Sequence, residues 1–170
     1  LLTASDSGSD TVIFSGLSNS LNGSDSIATY QTNDKFDFSN LLSSGSVMNS
    51  SAGAITIASV AALSEEATSI LINDSQVYVA EVTTKANVAT AANVLIALSD
   101  KGLLDAIDFA ANADAVLILG GADDDTLQYI YGIDNNSTEA IISSEITLLG
   151  TVTTDITEGI QGLIVDNFLF

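Results

Sequence analysis

Carboxylates are the only side chains in this sequence that are numerous and reactive enough to define a chemistry. The 170 residues include 22 Asp plus Glu against three Lys, a formal net charge of −19, and neither Cys nor His. These absences exclude imidazole acid–base catalysis, a Ser-His-Asp triad, a thiolate nucleophile and the usual zinc ligand sets. Arg is absent too, which excludes bidentate clamping of phosphates and hence of nucleic acid. Binding of hard cations, calcium above all, and a two-carboxylate hydrolase remain.

The hydrolase is the weaker of these two hypotheses. A glycosidase needs a carboxyl pair in a cleft with an aromatic platform for the sugar, but Trp is absent and aromatic residues make up only 6% of the chain. A Ser-x-x-Lys spacing with helical support is also absent. We therefore expect a protein that is not an enzyme.

Three turns rich in Gly and Asp have the composition of calcium loops. Gly8-Ser9-Asp10 and Gly23-Ser24-Asp25 lie fifteen positions apart, and each is followed by a small polar residue and then an apolar one. The segment 120–125, Gly-Gly-Ala-Asp-Asp-Asp, matches the start and end of the calcium-binding pattern G-G-x-G-x-D-x-U-x, with Asp123 where the third Gly belongs. Glycine permits the tight turn and aspartate supplies a hard oxygen. Ordinary turns have the same composition, and the chain has no stacked array of such repeats.

The elements that position these turns are predicted to be mainly β. Short runs of β-branched and aromatic residues, bounded by turn residues, predict strands at 11–14, 27–30, 36–38, 54–58, 69–72, 76–82, 115–119, 126–131, 140–149 and 163–170. The close spacing of 69–72 and 76–82 indicates a hairpin. We expect a β-sandwich or a β-roll cap with one or two helices. Residues 1–45 are expected to form a cap-like segment that follows a β-roll and residues 46–170 a β-rich domain, the two together making one compact unit.

A helix is predicted near 86–99. Apolar residues recur at helical spacing from Val88 to Leu98, and Thr84 or Asn87 could cap the first turn. A second short helix is expected at 103–109. Apolar runs stay well below the ~18 residues that a membrane helix requires, so no transmembrane segment is expected.

Part of the chain resembles the segment that follows the β-roll in repeats-in-toxin proteins. The similarity lies in Gly8–Ser15, in Ser24–Ile27 and in Asn33–Asn40, whose Asp-Lys-Phe-Asp-Phe-Ser core is its most specific part. The strands from Asp125 to Gly150 resemble the closing strands of those domains. The C-terminus, Asp166 to Phe170, resembles their secretion signal, an acidic residue followed by terminal hydrophobic residues.

This resemblance implies a calcium-associated C-terminal domain of a secreted bacterial surface protein, such as an S-layer protein or an adhesin. Such a domain caps a repeat region, carries the type I secretion signal, meets the type I secretion machinery during export and lies outside the cell or on its surface. The aspartates expected to bind Ca²⁺ are Asp10, Asp25, Asp34, Asp37, Asp123, Asp124 and Asp125. The residues expected to form the secretion signal are Asp166, Phe168, Leu169 and Phe170. Low-affinity sites in the ~10⁻⁴–10⁻³ M range would fill outside the cell only.

Two other functions stay open at this stage. One is a self-assembly or adhesive surface module without metal, because apolar runs rich in Val, Ile and Ala can form an association face as well as a core strand. The other is a carbohydrate-binding β-sandwich, for which the four tyrosines, Tyr30, Tyr78, Tyr129 and Tyr131, would be the available platform residues. The segment 168–170 is compatible with a final core strand as well as with an export signal.

Overall fold

The computed structural model describes the chain in segments. These are residues 2–3, 8–17, 25–31, 33–42, 57–59, 70–74, 76–82, 84–99, 104, 107–121, 123–136, 140–154 and 168–169. The strands within them are β1 (Leu2–Thr3), β2 (Thr11–Ile13), β3 (Asp25–Tyr30), β4 (Lys35–Asp37), β5 (Ile57–Ser59), β6 (Ile70–Ile72), β7 (Gln76–Val82), β8 (Ile107–Phe109), β9 (Asp114–Gly121), β10 (Asp124–Asp134), β11 (Ile146–Thr154) and β12 (Phe168–Leu169). The helical elements are α1 (Ala91–Leu98) and two 3₁₀ segments, Lys85–Val88 and Ser143–Glu145. The prediction of a mainly β protein with a helix is confirmed.

A central sheet of seven strands organises the described part of the chain. Its order is β1-β3-β11-β10-β9-β7-β5. Strand β10 runs antiparallel to β9 and β11, whereas all the other neighbours pair in parallel. Parallel neighbours cannot be joined by a tight hairpin, so the chain leaves the sheet between them. Two small sheets provide the return paths.

The first small sheet, β12-β4-β2, is parallel throughout. Strand β1 is followed by β2, β3 by β4, and β11 by β12, so each pair forms one coil with a strand in each sheet. Between the first two coils the register advances by 25 residues in the central sheet, where Leu2 lies opposite Ile27. In the small sheet it advances by 24, where Val12 lies opposite Phe36. We call these three coils the coil stack.

The second small sheet pairs β6 with β8 in parallel. Each of these strands leads into a central strand, β7 or β9, and those two also pair in parallel. The expected hairpin of 69–72 with 76–82 is therefore wrong. Both strands form, but β7 has one edge on β5 and the other on β9, which leaves β6 to pair elsewhere.

The central sheet is buried on both faces. Strand β9 is buried from Ala115 to Gly121, as its uninterrupted apolar sequence requires for a strand covered on two sides. On one face, Val116 and Ile130 pack with the coil stack. On the other, Leu117 and Tyr131 pack with α1 and the second small sheet. The described residues thus form three layers, with the central sheet in the middle.

The predicted helix near 86–99 is interrupted at Thr90. The Thr90 side chain accepts a hydrogen bond from the backbone N–H of Asn93 at 3.2 Å, so Thr90 is the N-cap of α1, in place of Thr84 or Asn87. The preceding residues do not continue the same axis, because the backbone of Thr90 is extended, with φ −138° and ψ 156°. The Tyr131 hydroxyl donates to the Val88 carbonyl at 2.6 Å and ties the 3₁₀ segment to the central sheet.

Two further details differ from the sequence prediction. The helix expected at 103–109 is wrong, because residues 107–109 form β8, whose edge pairs with β6. The strand expected at 140–149 begins only at Ile146, after the 3₁₀ segment.

Residues 1–45 and 46–170 both contribute to the central sheet, since β3 pairs with β11. Among the described helices, none has the length and apolar character needed to cross a membrane.

Candidate functional site

The Asp34 carboxylate lies inside the coil stack and is 2% exposed. Its Oδ1 accepts a hydrogen bond from the backbone N–H of Asp10 at 2.9 Å, and its Oδ2 accepts one from the backbone N–H of Gln31 at 2.7 Å. Gln31 belongs to the same turn, whereas Asp10 occupies the corresponding position one coil earlier. The carboxylate therefore joins two coils through charge-assisted hydrogen bonds to backbone amides.

Other hydrogen bonds join the same two turns. The Ser9 hydroxyl donates to the Asn33 carbonyl at 2.6 Å, and the Asn33 side-chain amide donates to the Gly8 carbonyl at 3.1 Å. The Tyr30 hydroxyl donates to the Asp34 carbonyl at 2.7 Å. We call residues 31 and 33–34 the coil turn, and residues 8–10 the edge turn on which it stacks.

Asp10 differs from Asp34 although the two residues are equivalent in the stack. Both of its backbone groups are hydrogen-bonded to the next coil: its N–H donates to Asp34, and its carbonyl accepts from the backbone N–H of Lys35 at 2.8 Å. Its side chain is partly exposed. No residue in the described segments donates a hydrogen bond to the Asp10 carboxylate.

Asp25 and Asp37 do not join this pair. Asp25 is exposed at the start of β3, where its backbone lies against Gly150; a Cβ at Gly150 would be 2.9 Å from the Asp25 carbonyl oxygen. Asp37 is half-buried in β4 and accepts a hydrogen bond from the Ser39 backbone at 2.9 Å. Of the four aspartates predicted in residues 1–45, only Asp10 and Asp34 are in contact in the described part.

The acidic turn between β9 and β10 binds Lys85. The Asp123 carboxylate accepts from the Lys85 backbone N–H at 2.6 Å, and the Asp124 carboxylate forms an ion pair with the Lys85 ammonium group. Glycine is required at position 121, because a Cβ there would lie 2.2 Å from the Lys85 backbone nitrogen. We call Gly121, Asp123 and Asp124 the clamp turn. The side chain of Asp125 lies outside the described part.

Ionisation of the clamp turn is set by its donors. The hydrogen bond from Lys85, followed by the two from Thr126, lowers the pKa of Asp124 to about 2. The same hydrogen bond, which Lys85 donates to Asp124, raises the pKa of Lys85. Both partners are therefore charged at neutral pH, and the turn that resembles a calcium motif is occupied by a lysine of the same chain.

A third group of carboxylates was not predicted from the sequence. Asp114 and Asp134 lie directly opposite each other on β9 and β10, and the Asp74 carboxylate accepts from the Asp114 backbone N–H at 3.0 Å. Burial raises the pKa of Asp114, and the charges of Asp134 and Asp74 raise it further. The three residues are far apart in sequence, and only the pairing of the strands brings them together. Among the described residues, no group of three or more Asp, Glu, His or Cys side chains is arranged so that it could hold a metal ion.

The C-terminal strand is part of the core of the coil stack. Phe168 is 5% exposed, lies opposite Phe36, and has its ring centroid 5.9 Å from that of Phe36 and 6.2 Å from that of Phe38. Leu169 is half-buried. Asp166 and Phe170, the other predicted residues of the secretion signal, lie outside the described residues.

A sequence signal for this arrangement exists. Each strand of the small sheet falls within the pattern Asp-x-apolar-x-Phe, at 10–14, 34–38 and 166–170. The hydrogen bonds follow the same repeat: the Phe14 N–H donates to the Asp37 carbonyl at 3.0 Å, and the Phe38 N–H donates to the Leu169 carbonyl at 2.9 Å. The C-terminal sequence therefore repeats this pattern a third time, far along the chain from the first two copies.

The tyrosines do not form an exposed platform in the described part. Tyr30, Tyr78 and Tyr131 are buried in the core, and Tyr129 is half-buried.

Comparisons of the chain with protein-family models, with curated proteins and with solved structures found no match. The function is therefore argued from the geometry of this chain.

Proposed function

We propose that this chain is a non-enzymatic structural domain that closes one end of a parallel β-coil in a secreted, calcium-dependent bacterial surface protein. The observation that supports this function best is the coil stack, in which three pairs of strands add in parallel to two sheets and the first two coils are offset by 24 or 25 residues. Domains built in this way gain stability from contacts between neighbouring coils and need a terminal unit that ends the stack.

The end of the stack that carries β11 is closed in the central sheet of the described part. The outer edge of β11 pairs with β10, which runs in the opposite direction and cannot extend a parallel coil. Strand β12 covers β4 and brings Phe168 into the aromatic core. A stack that ends in an antiparallel strand does not expose a long parallel edge to other chains. These features are those of a cap.

The negative charge of the chain supports a role for calcium. A net charge of −19 opposes a compact state unless cations screen it. Lys85 is engaged by Asp124, and no such ion pair is found for Asp114 and Asp134 in the described segments. The expected sites are weak, in the ~10⁻⁴–10⁻³ M range of extracellular modules. Export would then precede folding, and Phe168 and Leu169 would act as part of a type I secretion signal before they form β12.

Thermal unfolding followed by circular dichroism tests the calcium part of the proposal. The chain is melted in EDTA, then with calcium raised from micromolar to about ten millimolar, with magnesium at matched ionic strength as control. Selective binding to the folded state raises the Tm with calcium concentration, and we expect a larger rise with calcium than with magnesium. Equal responses to the two ions, or none, would contradict a calcium-dependent domain.

A further inference from the structure

The coil stack has an open end opposite the cap. In the described segments, β1 pairs only with β3, and β2 pairs only with β4. The Asp10 carbonyl and the Phe14 N–H bind β4. Because successive peptide groups of a strand point in opposite directions, the N–H and C=O groups of Thr11 and Ile13 face away from β4. These groups form an edge that can pair with another strand.

The side chain of Asp10 lies at this same end. In the next coil, the equivalent carboxylate of Asp34 is completed by a backbone N–H from the coil before it, that of Asp10 itself. The Asp10 carboxylate has no corresponding donor among the described residues and is partly exposed, whereas Asp34 is buried. One more coil, placed 24 residues earlier in register, would bring a backbone N–H to the Asp10 carboxylate.

We propose that the open edge of β1 and β2 receives one further parallel coil of the Asp-x-apolar-x-Phe type, and that the Asp10 carboxylate accepts a backbone N–H from it. This inference rests on the proposed function, since it identifies the face of the cap that meets the rest of the repeat region. It extends an interface that already exists, because the new contact would reproduce the one between β2 and β4.

A second copy of the chain fits this edge less well. Two copies related by a twofold axis would pair their β2 strands antiparallel and would not reproduce the parallel register in which Asp34 binds Asp10. Copies arranged head to tail would need β11 free in the central sheet, but its outer edge is paired with β10. A parallel coil in the same polypeptide meets neither obstacle.

An extended chain tests the proposal directly. A second copy of residues 1–24 is placed ahead of Leu1 in the full chain, which supplies one extra coil at the natural spacing. The matched control carries the same 24 added residues in scrambled order. Amide hydrogen exchange is measured in EDTA by NMR, so that a failed calcium response and a failed coil contact remain separate results.

The expected result is protection of the Thr11 and Ile13 amides. In the extended chain their exchange should slow by about tenfold or more relative to the chain with scrambled residues, as for amides that enter a cooperative sheet. Unchanged exchange at both amides would overturn the proposal, whatever the calcium titration shows.

Asp10→Ala supplies the second measurement. In EDTA, this substitution should leave the Tm of the 170-residue chain nearly unchanged, because no described donor uses the carboxylate. In the extended chain it should remove much of the protection at Thr11 and Ile13. Equal small effects in both chains would overturn the role of Asp10. A dimer of the original chain in light scattering that Asp10→Ala dissociates would overturn the choice of a coil in favour of a second copy.

Discussion

Two acidic turns of this molecule bind their aspartates by different chemistry. In the coil turn, the Asp34 carboxylate is buried and binds two backbone N–H groups from adjacent coils. In the clamp turn, Asp123 and Asp124 are more exposed and bind the backbone and ammonium groups of Lys85. Aspartates of both turns were expected to bind Ca²⁺. What differs is the donor that the fold brings to each carboxylate.

This difference teaches that an aspartate in an acidic turn does not by itself identify the group that the aspartate binds. The coil turn stabilises the stack through neutral amide donors, whose contribution does not depend on salt to the extent that an exposed ion pair does. The clamp turn holds the 3₁₀ segment through a pair of charges that solvent screens. Stability measurements can therefore separate the two turns.

Asp34→Ala gives the largest effect that we expect. The substitution removes the acceptor of two backbone N–H groups, one of them between coils, and a hydrogen bond to a charged group contributes about 1.5–3 kcal/mol. We expect a loss of about 3 kcal/mol or more in the free energy of unfolding, measured by urea denaturation. The matched variant is Asp10→Ala, at the equivalent position one coil earlier, for which we expect a change below about 0.5 kcal/mol. Similar losses in both variants would mean that the coil turn does not depend on its buried carboxylate.

Gly121→Ala tests the close approach in the clamp turn. The added Cβ would lie 2.2 Å from the Lys85 backbone nitrogen and 2.6 Å from its Cα, so backbone must move. Overpacking of this kind costs about 1–3 kcal/mol, and urea denaturation should show a loss in that range. Gly132→Ala is the control, because its Cβ would meet only the ends of the Leu17 and Leu149 side chains, at 3.0 Å and 3.3 Å. If Gly132→Ala proved the more harmful, the clamp turn would not be held against Lys85.

The sequence predicts local structure well where a strand is decided by its own residues. The segments 76–82 and 115–119 form strands as expected, because β-branched and apolar residues that are buried on both faces favour a strand in any register. Pairing partners are decided elsewhere. The hairpin of β6 with β7 failed because β5 and β9, which are distant in sequence, occupy both edges of β7.

The candidate site was predictable to a similar extent. The aspartates of the clamp turn were identified from the turn's composition and Asp34 of the coil turn from the family resemblance, but their donors were not, because Lys85 is 38 positions from Asp123. The opposition of Asp114 and Asp134 depends on the register of β9 against β10. The repeat of Asp-x-apolar-x-Phe at 10–14, 34–38 and 166–170 was present in the sequence. Only the parallel pairing of β2, β4 and β12 shows that the three copies are neighbours in one sheet.

Lys85→Met tests whether the ion pair of the clamp turn stabilises the fold, through its dependence on pH and salt. The pKa of Asp124 in the folded state, about 2, lies below its ordinary value of 3.8. The ion pair therefore stabilises the fold above pH 4, and this contribution is lost as the pH falls from about 4 to 2. We expect the wild type to exceed Lys85→Met in Tm at pH 6, with the difference shrinking toward pH 2 and in high salt. A difference that stays constant across this range would indicate that the lysine acts through packing alone.

Asp114→Asn should give the smallest effect, and of opposite sign. Burial and the charges of Asp134 and Asp74 raise the pKa of Asp114 in the folded state, so the folded state binds its proton more tightly than the unfolded state does. Stability then falls as the pH rises through the interval between the two pKa values, and the charged form is a cost at neutral pH. Asn mimics the uncharged form. Solvent screens this half-exposed site, so we expect a gain near the lower end of the about 0.2–1 kcal/mol typical of cross-strand pairs.

The pH dependence of that gain distinguishes repulsion from other causes. At pH 7 Asp114→Asn should melt above the wild type, and at pH 3, where Asp114 is protonated in both states, the two curves should coincide. The effect should also shrink in high salt, because the like charges of Asp134 and Asp74 are screened. A loss of stability at pH 7 would mean instead that the Asp114 carboxylate is held by an attractive partner. That partner would make this end of the central sheet resemble the clamp turn.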